Sequence, residues 1–156
     1  MNYFFGVLSF IYVAAIFLMA GSPVVSTLSR FNPYSLLHIP LYAVLAFLLV
    51  LAIVPSKFFR FRGTDTVHHP ESGKDPNHPG ELARAHLKAR FVIVGLIGLV
   101  VAVADEYHQS FIPTRDASFS DVLLDVVGIA LALFLIRIWL KQLEVRSERL
   151  KFINDQ

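Results

Sequence analysis

Four long apolar segments limit the folds that this chain of 156 residues can adopt. They are predicted to cover about residues 3–20, 36–54, 91–107 and 122–140. Each is close to the ~20 apolar residues that a helix needs to cross a bilayer. The hydrophobicity is continuous rather than alternating, which favours helices. We therefore predict an all-α integral membrane protein, folded as a four-helix bundle in a single domain over residues 1–156.

The composition agrees with a membrane protein. Hydrophobic residues make up 55% of the chain and charged residues only 17%, whereas a soluble domain has about 25% charged residues. Cysteine is absent, which excludes disulfides and thiolate chemistry. The first segment lacks the basic start and the cleavage site of a signal peptide, so it is interpreted as an uncleaved helix.

The distribution of Lys and Arg predicts the orientation in the membrane. Seven of these 14 residues lie in the loop 55–90 and five lie from Arg137 onward, which leaves only Arg30 and Arg115. Because Lys and Arg concentrate in cytoplasmic loops, both chain ends and the loop 55–90 are predicted to face the cytoplasm. We predict a multi-pass protein of the cytoplasmic (inner) membrane. The basic residues flank apolar segments, so no nucleic-acid partner is expected.

The loop 55–90 is rich in Pro, Gly and His. Its histidines are His68, His69, His78 and His86. Histidine is a common metal ligand, but this spacing fits no compact metal site. The loop is therefore interpreted as a linker, and no metal or cofactor is predicted.

A polar stretch between the third and fourth apolar segments, DEYHQSFIPTRDASFSD at residues 105–121, marks the candidate site. Polar groups beside lipid are costly unless they are paired or hydrated, so they indicate function by default. Asp105 and Gln109 are four residues apart and share one face of a helix, with Glu106 close to the same face. Pro113 then prevents the helix from continuing.

The second half of this stretch is predicted to begin the fourth helix. Ser118 is a candidate N-cap, and Asp121 follows three residues later, as in a capping box. Asp125 lies about one turn inside the apolar segment, where a carboxylate needs a partner or water. In a purely structural interpretation, Arg115 pairs with Asp105 or Asp121 and joins a hairpin. That interpretation leaves Asp125 without a role, so a binding or catalytic site is favoured.

The second apolar segment carries two further candidates. His38 and Tyr42 are four residues apart and lie on the same helix face. Pro40 falls between them in the first turns, where a helix tolerates proline. Our hypothesis is that both side chains point at the acidic stretch. The alternative is an interfacial tyrosine and a solvated histidine near the lipid headgroups.

The polar stretch, continued to Gly128, resembles the signature of the VanZ-like family, which is named for an accessory protein of glycopeptide (teicoplanin) resistance. The family pattern reads D-E-x-x-Q-x-F-x-P-x-R-x-x-S-x-x-D-x-x-x-N-x-x-G. The matching residues are Asp105, Glu106, Gln109, Phe111, Pro113, Arg115, Ser118, Asp121 and Gly128. An earlier H-x-x-x-Y of the family corresponds to His38 and Tyr42, without the lysine that usually precedes it. Where the family usually has Asn, this chain has Asp125.

The resemblance implies a small bacterial membrane protein with four spans and leaves its activity open. We predict that the binding residues are His38, Tyr42, Asp105, Glu106, Gln109, Arg115, Ser118, Asp121 and Asp125. The first hypothesis is an outward-facing site that binds or handles an anionic envelope lipid or a lipid-linked cell-wall precursor, with an effect on glycopeptide susceptibility. Arg115 would bind a phosphate or carboxylate through its fork of donors.

Two other hypotheses remain open. The chain could be a membrane-embedded enzyme whose acids transfer protons or bind a divalent cation, although no nucleophile with a clear base is visible in the sequence. It could instead be a scaffold that pairs with a second copy or another membrane protein through Gly95, Gly98 or Gly128. Such small residues also allow helices of one chain to approach each other. Membrane lipids are the expected partners in every case.

Overall fold

The computed structural model describes residues 2–22, 34–55, 79–113 and 118–154. The four helices are α1 (Tyr3–Ala20), α2 (His38–Ile53), α3 (Pro79–Gln109) and α4 (Phe119–Asn154). A short 3-10 turn, Tyr34–Leu37, directly precedes α2. These ranges contain no strand, and the prediction of an all-α, four-helix protein is confirmed.

Two helices extend well beyond the apolar segments. α3 begins at Pro79, inside the predicted loop 55–90, and α4 continues to Asn154. The added residues are rich in Ala, Leu, Glu, Lys and Arg, which are the strongest helix formers, and proline is favoured at the first position of a helix. Hydropathy therefore identified the apolar part of each helix but not the residue at which the helix ends.

Among the described residues, three helical segments are long and apolar enough to cross a membrane: Tyr3–Ala20, Arg84–Gln109 and Phe119–Leu143. α2 has only 16 residues, fewer than any of these three segments. It spans ~24 Å. The preceding 3-10 turn adds ~8 Å, so the two together match the ~30 Å of a hydrocarbon core. Large apolar side chains such as Phe10, Leu18 and Phe134 are exposed on the outer helix faces. A surface of this kind suits contact with lipid, and the chain is a membrane protein.

α2 lies at the centre of the bundle. It packs against α1, α3 and α4, and it buries seven of its residues: His38, Tyr42, Leu45, Ala46, Leu49, Val50 and Ala52. The apolar members join residues such as Val94, Ala102 and Ile129 in one core. The two polar members lie in the first turns of α2, so the central helix carries polar groups at one end and apolar groups along the rest.

Glycines set the distances between helices. A Cβ built on Gly128 of α4 would overlap the backbone carbonyl of Ile39 in α2, so the two backbones are in direct contact there. The glycines of α3 face side chains of α4, and the pairs are Gly98 with Ile129 and Gly95 with Leu133. All three glycines therefore contact helices of the same chain.

The helices alternate in direction, which gives the bundle two different ends. At one end, the backbone N–H of Asn2 donates to the carbonyl of Ala52 at 3.0 Å, and the Arg90 guanidinium donates to the carbonyl of Ile53. These bonds satisfy carbonyls that the end of α2 leaves without intrahelical partners. The start of α2, the end of α3 and the start of α4 meet at the opposite end, where the polar residues lie.

Candidate functional site

Six polar side chains from three helices meet inside the bundle. We call them the buried polar cluster, and they are His38, Tyr42, Asp105, Glu106, Gln109 and Asp125. Each is at most 9% exposed. α2 contributes its first turns, α3 its last turns and α4 its second turn. The hypothesis that His38 and Tyr42 face the acidic stretch agrees with this geometry, and the lipid-facing alternative does not.

His38 and Asp125 form the closest pair of titratable side chains in the cluster. Nδ1 of His38 lies 2.9 Å from Oδ1 of Asp125, and the two side chains are 7% and 1% exposed. The helix approach at Gly128 makes this contact possible, because Gly128 is one turn after Asp125 and its neighbour Ile39 follows His38 directly. This buried hydrogen bond joins a side chain of α2 to one of α4, and it satisfies polar groups that would otherwise be costly to bury.

Asp105 accepts two hydrogen bonds on a single oxygen. Its Oδ2 receives the amide N–H of Gln109 at 3.0 Å and the hydroxyl of Tyr42 at 3.3 Å. The bond from Gln109 follows from the spacing of four residues on α3. The bond from Tyr42 joins α2 to α3, and it could not be deduced from spacing along the chain.

Glu106 joins the end of α3 to the start of α4. Its Oε1 accepts the backbone N–H of Ser118. Ser118 is the N-cap of α4, since its hydroxyl accepts the N–H of Ser120 at 3.2 Å and its carbonyl accepts the N–H of Asp121 at 2.8 Å. In a capping box the acid three residues later would receive the N-cap N–H. Here Glu106 of the preceding helix takes that role, so the capping-box prediction was only half right.

Four buried polar atoms of the described residues have no hydrogen-bond partner. They are Asp105 Oδ1, Glu106 Oε2, Asp125 Oδ2 and His108 Nδ1. Three of the four are the second oxygens of carboxyl groups whose first oxygens are paired. Leaving such a group unpaired costs ~1–3 kcal/mol, and more when it is charged. The cluster therefore has an excess of hydrogen-bond acceptors.

His108 was not among the predicted site residues. Its ring lies 5.4 Å from that of Phe17 in α1, between centroids, and its Nδ1 is buried. The only sequence signal for it was its position three residues after Asp105 in the polar stretch. Its contact with α1 depends on tertiary packing, which the spacing in the sequence does not report.

Of the other predicted residues, some are among those that the structure describes and some are not. Asp121 is half-buried, and its charge interacts with those of His38, Glu106 and Asp125. Arg115 lies outside the described residues, and so do three histidines of the predicted linker, His68, His69 and His78. His86 is exposed on α3. In the part of the chain that the structure describes, no group of three or more His, Asp or Glu side chains could coordinate a metal ion.

The fold and the cluster define a class: a helical membrane protein whose central helix and two neighbours enclose acidic side chains at one end of the bundle. Within this class, the chain belongs to the VanZ/LLP1 family, whose family model matches residues 4–140. The resemblance seen in the sequence motif is thereby confirmed. No curated protein and no solved structure shows significant similarity to the chain.

Proposed function

We propose that this protein is a bacterial cytoplasmic-membrane protein whose outward-facing polar cluster binds or handles an anionic envelope lipid or a lipid-linked cell-wall precursor. The observation that carries the proposal is the set of three buried carboxyl groups, each with one unpaired oxygen, on Asp105, Glu106 and Asp125. Such groups are retained beside lipid only where they serve a purpose. Binding a precursor of the cell wall would also alter susceptibility to glycopeptides.

In this proposal the ligand is recognised by two kinds of group. Hydroxyl or amino groups of its headgroup donate to the unpaired oxygens, and its phosphate or carboxylate accepts from Arg115. The role of Arg115 rests on the sequence alone, in which it precedes Ser118 by three residues. Envelope lipids and lipid-linked precursors present both kinds of group.

Native mass spectrometry of the detergent-extracted protein tests this proposal, since it reports bound lipid, metal and oligomeric state together. The parent protein should carry a phosphate-bearing lipid. Arg115→Lys keeps the charge but loses the planar fork, so it should stay folded and bind at least about tenfold more weakly, equivalent to ~1.4 kcal/mol. Arg137→Lys makes the same replacement in α4, twelve residues beyond Asp125, and should retain lipid as the parent does.

Two results would count against the proposal in different ways. Equal lipid binding by the parent and Arg115→Lys would reject the bidentate contact and leave the motif as a stabilised hairpin. A parent protein that never carries lipid, under conditions where it remains folded, would reject ligand binding at the cluster altogether.

An enzyme acting on a lipid-linked substrate is the second candidate function. The observation that favours it is the pairing of His38 with Asp125, because a carboxylate that orients an imidazole is a common arrangement in acid–base catalysis. Mass analysis of the lipid before and after incubation separates the two functions. A lipid that returns unchanged supports binding, whereas a product whose formation His38→Gln abolishes supports catalysis.

A further inference from the structure

The hydrogen-bonding groups of the buried polar cluster are unequally divided between donors and acceptors. Every donor in a cluster contact already has an acceptor: Tyr42 and Gln109 donate to Asp105, His38 pairs with Asp125, and the N–H of Ser118 donates to Glu106. The oxygens Asp105 Oδ1, Glu106 Oε2 and Asp125 Oδ2 remain unpaired. A ligand would therefore have to supply donors.

The charges of the cluster are unequally divided as well. The carboxyl groups of Asp105, Glu106 and Asp125 are at least nine-tenths buried. The carboxyl group of Asp105 is close enough to those of Glu106 and Asp125 to interact with each electrostatically. His38 is the one described basic side chain that pairs with any of them. The Lys and Arg side chains that the structure places lie in the first half of α3 and the later turns of α4: Arg84, Lys88, Arg90, Arg137, Lys141, Arg146 and Arg149.

We propose that the group received by this cluster is the primary ammonium of a headgroup that also carries a phosphate. This inference rests on the proposed function and specifies the headgroup further: its phosphate is the anionic group, and its amino group is the cation that the cluster receives. An alkylammonium has three N–H donors and no acceptor, so it supplies donors to a cluster whose unpaired carboxyl oxygens are acceptors. It also carries the positive charge that buried carboxylates need in order to remain ionised. A hydroxyl group supplies a single donor and no charge, so it satisfies the cluster less completely.

Two lipids of equal net charge provide a direct test. Short-chain phosphatidylethanolamine and phosphatidylcholine are both zwitterions, but the quaternary ammonium of phosphatidylcholine has no N–H donor. Each is added to the delipidated full-length protein in detergent, and the thermal unfolding temperature is followed against lipid concentration. Phosphatidylethanolamine should bind at least about tenfold more tightly than phosphatidylcholine. Phosphatidylglycerol, which offers hydroxyls and a phosphate, should bind more weakly than phosphatidylethanolamine.

Variants locate the preference in the cluster. Asp105→Asn and Glu106→Gln each remove a charge while keeping an acceptor for the existing hydrogen bond, so both should stay folded. Each should reduce the ratio of phosphatidylethanolamine to phosphatidylcholine affinity by several-fold. Glu144→Gln removes an acid from the far end of α4 and should leave the ratio unchanged. Glycerophosphoethanolamine, added as a competitor, shows whether the acyl chains are needed for recognition.

The outcomes separate this inference from the proposed function. Equal affinity for the ethanolamine and choline lipids would overturn the ammonium inference while leaving lipid binding intact, and it would mean that protons neutralise the carboxyl groups. Tighter binding of phosphatidylglycerol would also overturn the inference in favour of a hydroxyl-bearing headgroup. No stabilisation by any of the three lipids, with the parent protein folded, would overturn the ammonium inference and would restrict the proposed function to a lipid-linked precursor.

Discussion

Asp105 and Asp125 occupy different chemical environments, although both carboxyl groups are almost fully buried. Asp105 accepts neutral hydrogen bonds from an amide and a phenol, and Asp125 pairs with an imidazole. Removing one partner from a buried pair leaves the other unsatisfied, which costs more than the bond contributed. The two acids should therefore respond differently to substitution.

Asp125→Asn tests whether the hydrogen bond or the charge matters at this position. Asparagine keeps an acceptor for His38, so we expect the variant to fold. Its unfolding temperature should lie within a few degrees of that of the parent, and its lipid affinity should lie within about tenfold of the parent's. His38→Phe instead leaves Asp125 without its partner and should destabilise the protein by ~1–3 kcal/mol. Thermal unfolding in detergent and native mass spectrometry measure both quantities.

The contrary outcome at Asp125 is equally informative. If Asp125→Asn folds but loses all activity, the negative charge itself is required, and catalysis gains over binding. If His38→Phe is as stable as the parent, the pair contributes nothing measurable to the packing of α2 on α4.

Among the helices, the contact between α2 and α4 decides whether the cluster exists. Asp125 and Gly128 are three residues apart and lie on neighbouring positions of one α4 face. The glycine brings the α4 backbone against Ile39, and the same approach brings Asp125 to His38. A helix pair separated by ordinary side chains has its axes ~8–10 Å apart, and close contact of two backbones requires a residue without a Cβ.

Gly128→Ala should therefore disturb both the packing and the site. The added methyl group would overlap a backbone carbonyl, which cannot rotate away as a side chain does, so we expect a loss of ~1–3 kcal/mol. The expected signs are a lower unfolding temperature and weaker lipid binding.

Gly6→Ala in α1 is the matched control, because a Cβ there meets nothing within 4 Å. Its unfolding temperature should be unchanged or slightly higher, since alanine favours a helix over glycine. Equal unfolding temperatures and equal lipid binding for the two variants would show that α2 and α4 can separate at Gly128 without loss of stability.

For the whole molecule, the alternating helices place unlike groups at the two ends of the bundle. One end holds the buried polar cluster, and the other holds the described basic residues at the start of α3 and along the later turns of α4. In membrane proteins generally, Lys and Arg concentrate on the cytoplasmic side. This division leads to the prediction that both chain ends face the cytoplasm and that the cluster lies toward the outer surface.

Cysteine labelling tests this orientation without background, because the chain contains no cysteine. Ser110 and Gln142 are both exposed and lie at opposite ends of the bundle. A membrane-impermeant maleimide should label Ser110→Cys in intact cells and should label Gln142→Cys only after lysis. The reverse labelling pattern would show that the protein has the opposite orientation, with the cluster on the cytoplasmic side.

The sequence by itself determined the helical class, the four apolar segments and most of the residues at the polar end. Continuous hydrophobicity beside lipid permits few structures other than helices, and polar residues within such segments stand out by composition. Spacing along one helix was also sufficient for the bond between Asp105 and Gln109, since residues four apart on a helix are neighbours. Hydropathy did not determine the residues at which α3 begins and α4 ends, because they lie beyond the apolar segments that it detects.

Only the tertiary structure decided which residues meet across helices. His38 is paired with Asp125, Tyr42 with Asp105, and Glu106 with the backbone of Ser118. Helical periodicity fixes the face on which a side chain lies, but the rotation and separation of neighbouring helices depend on packing. Between α2 and α4 they depend on the close backbone contact at Gly128. The placement of His108 against α1 belongs to the same category, because no pattern within one helix encodes the position of another.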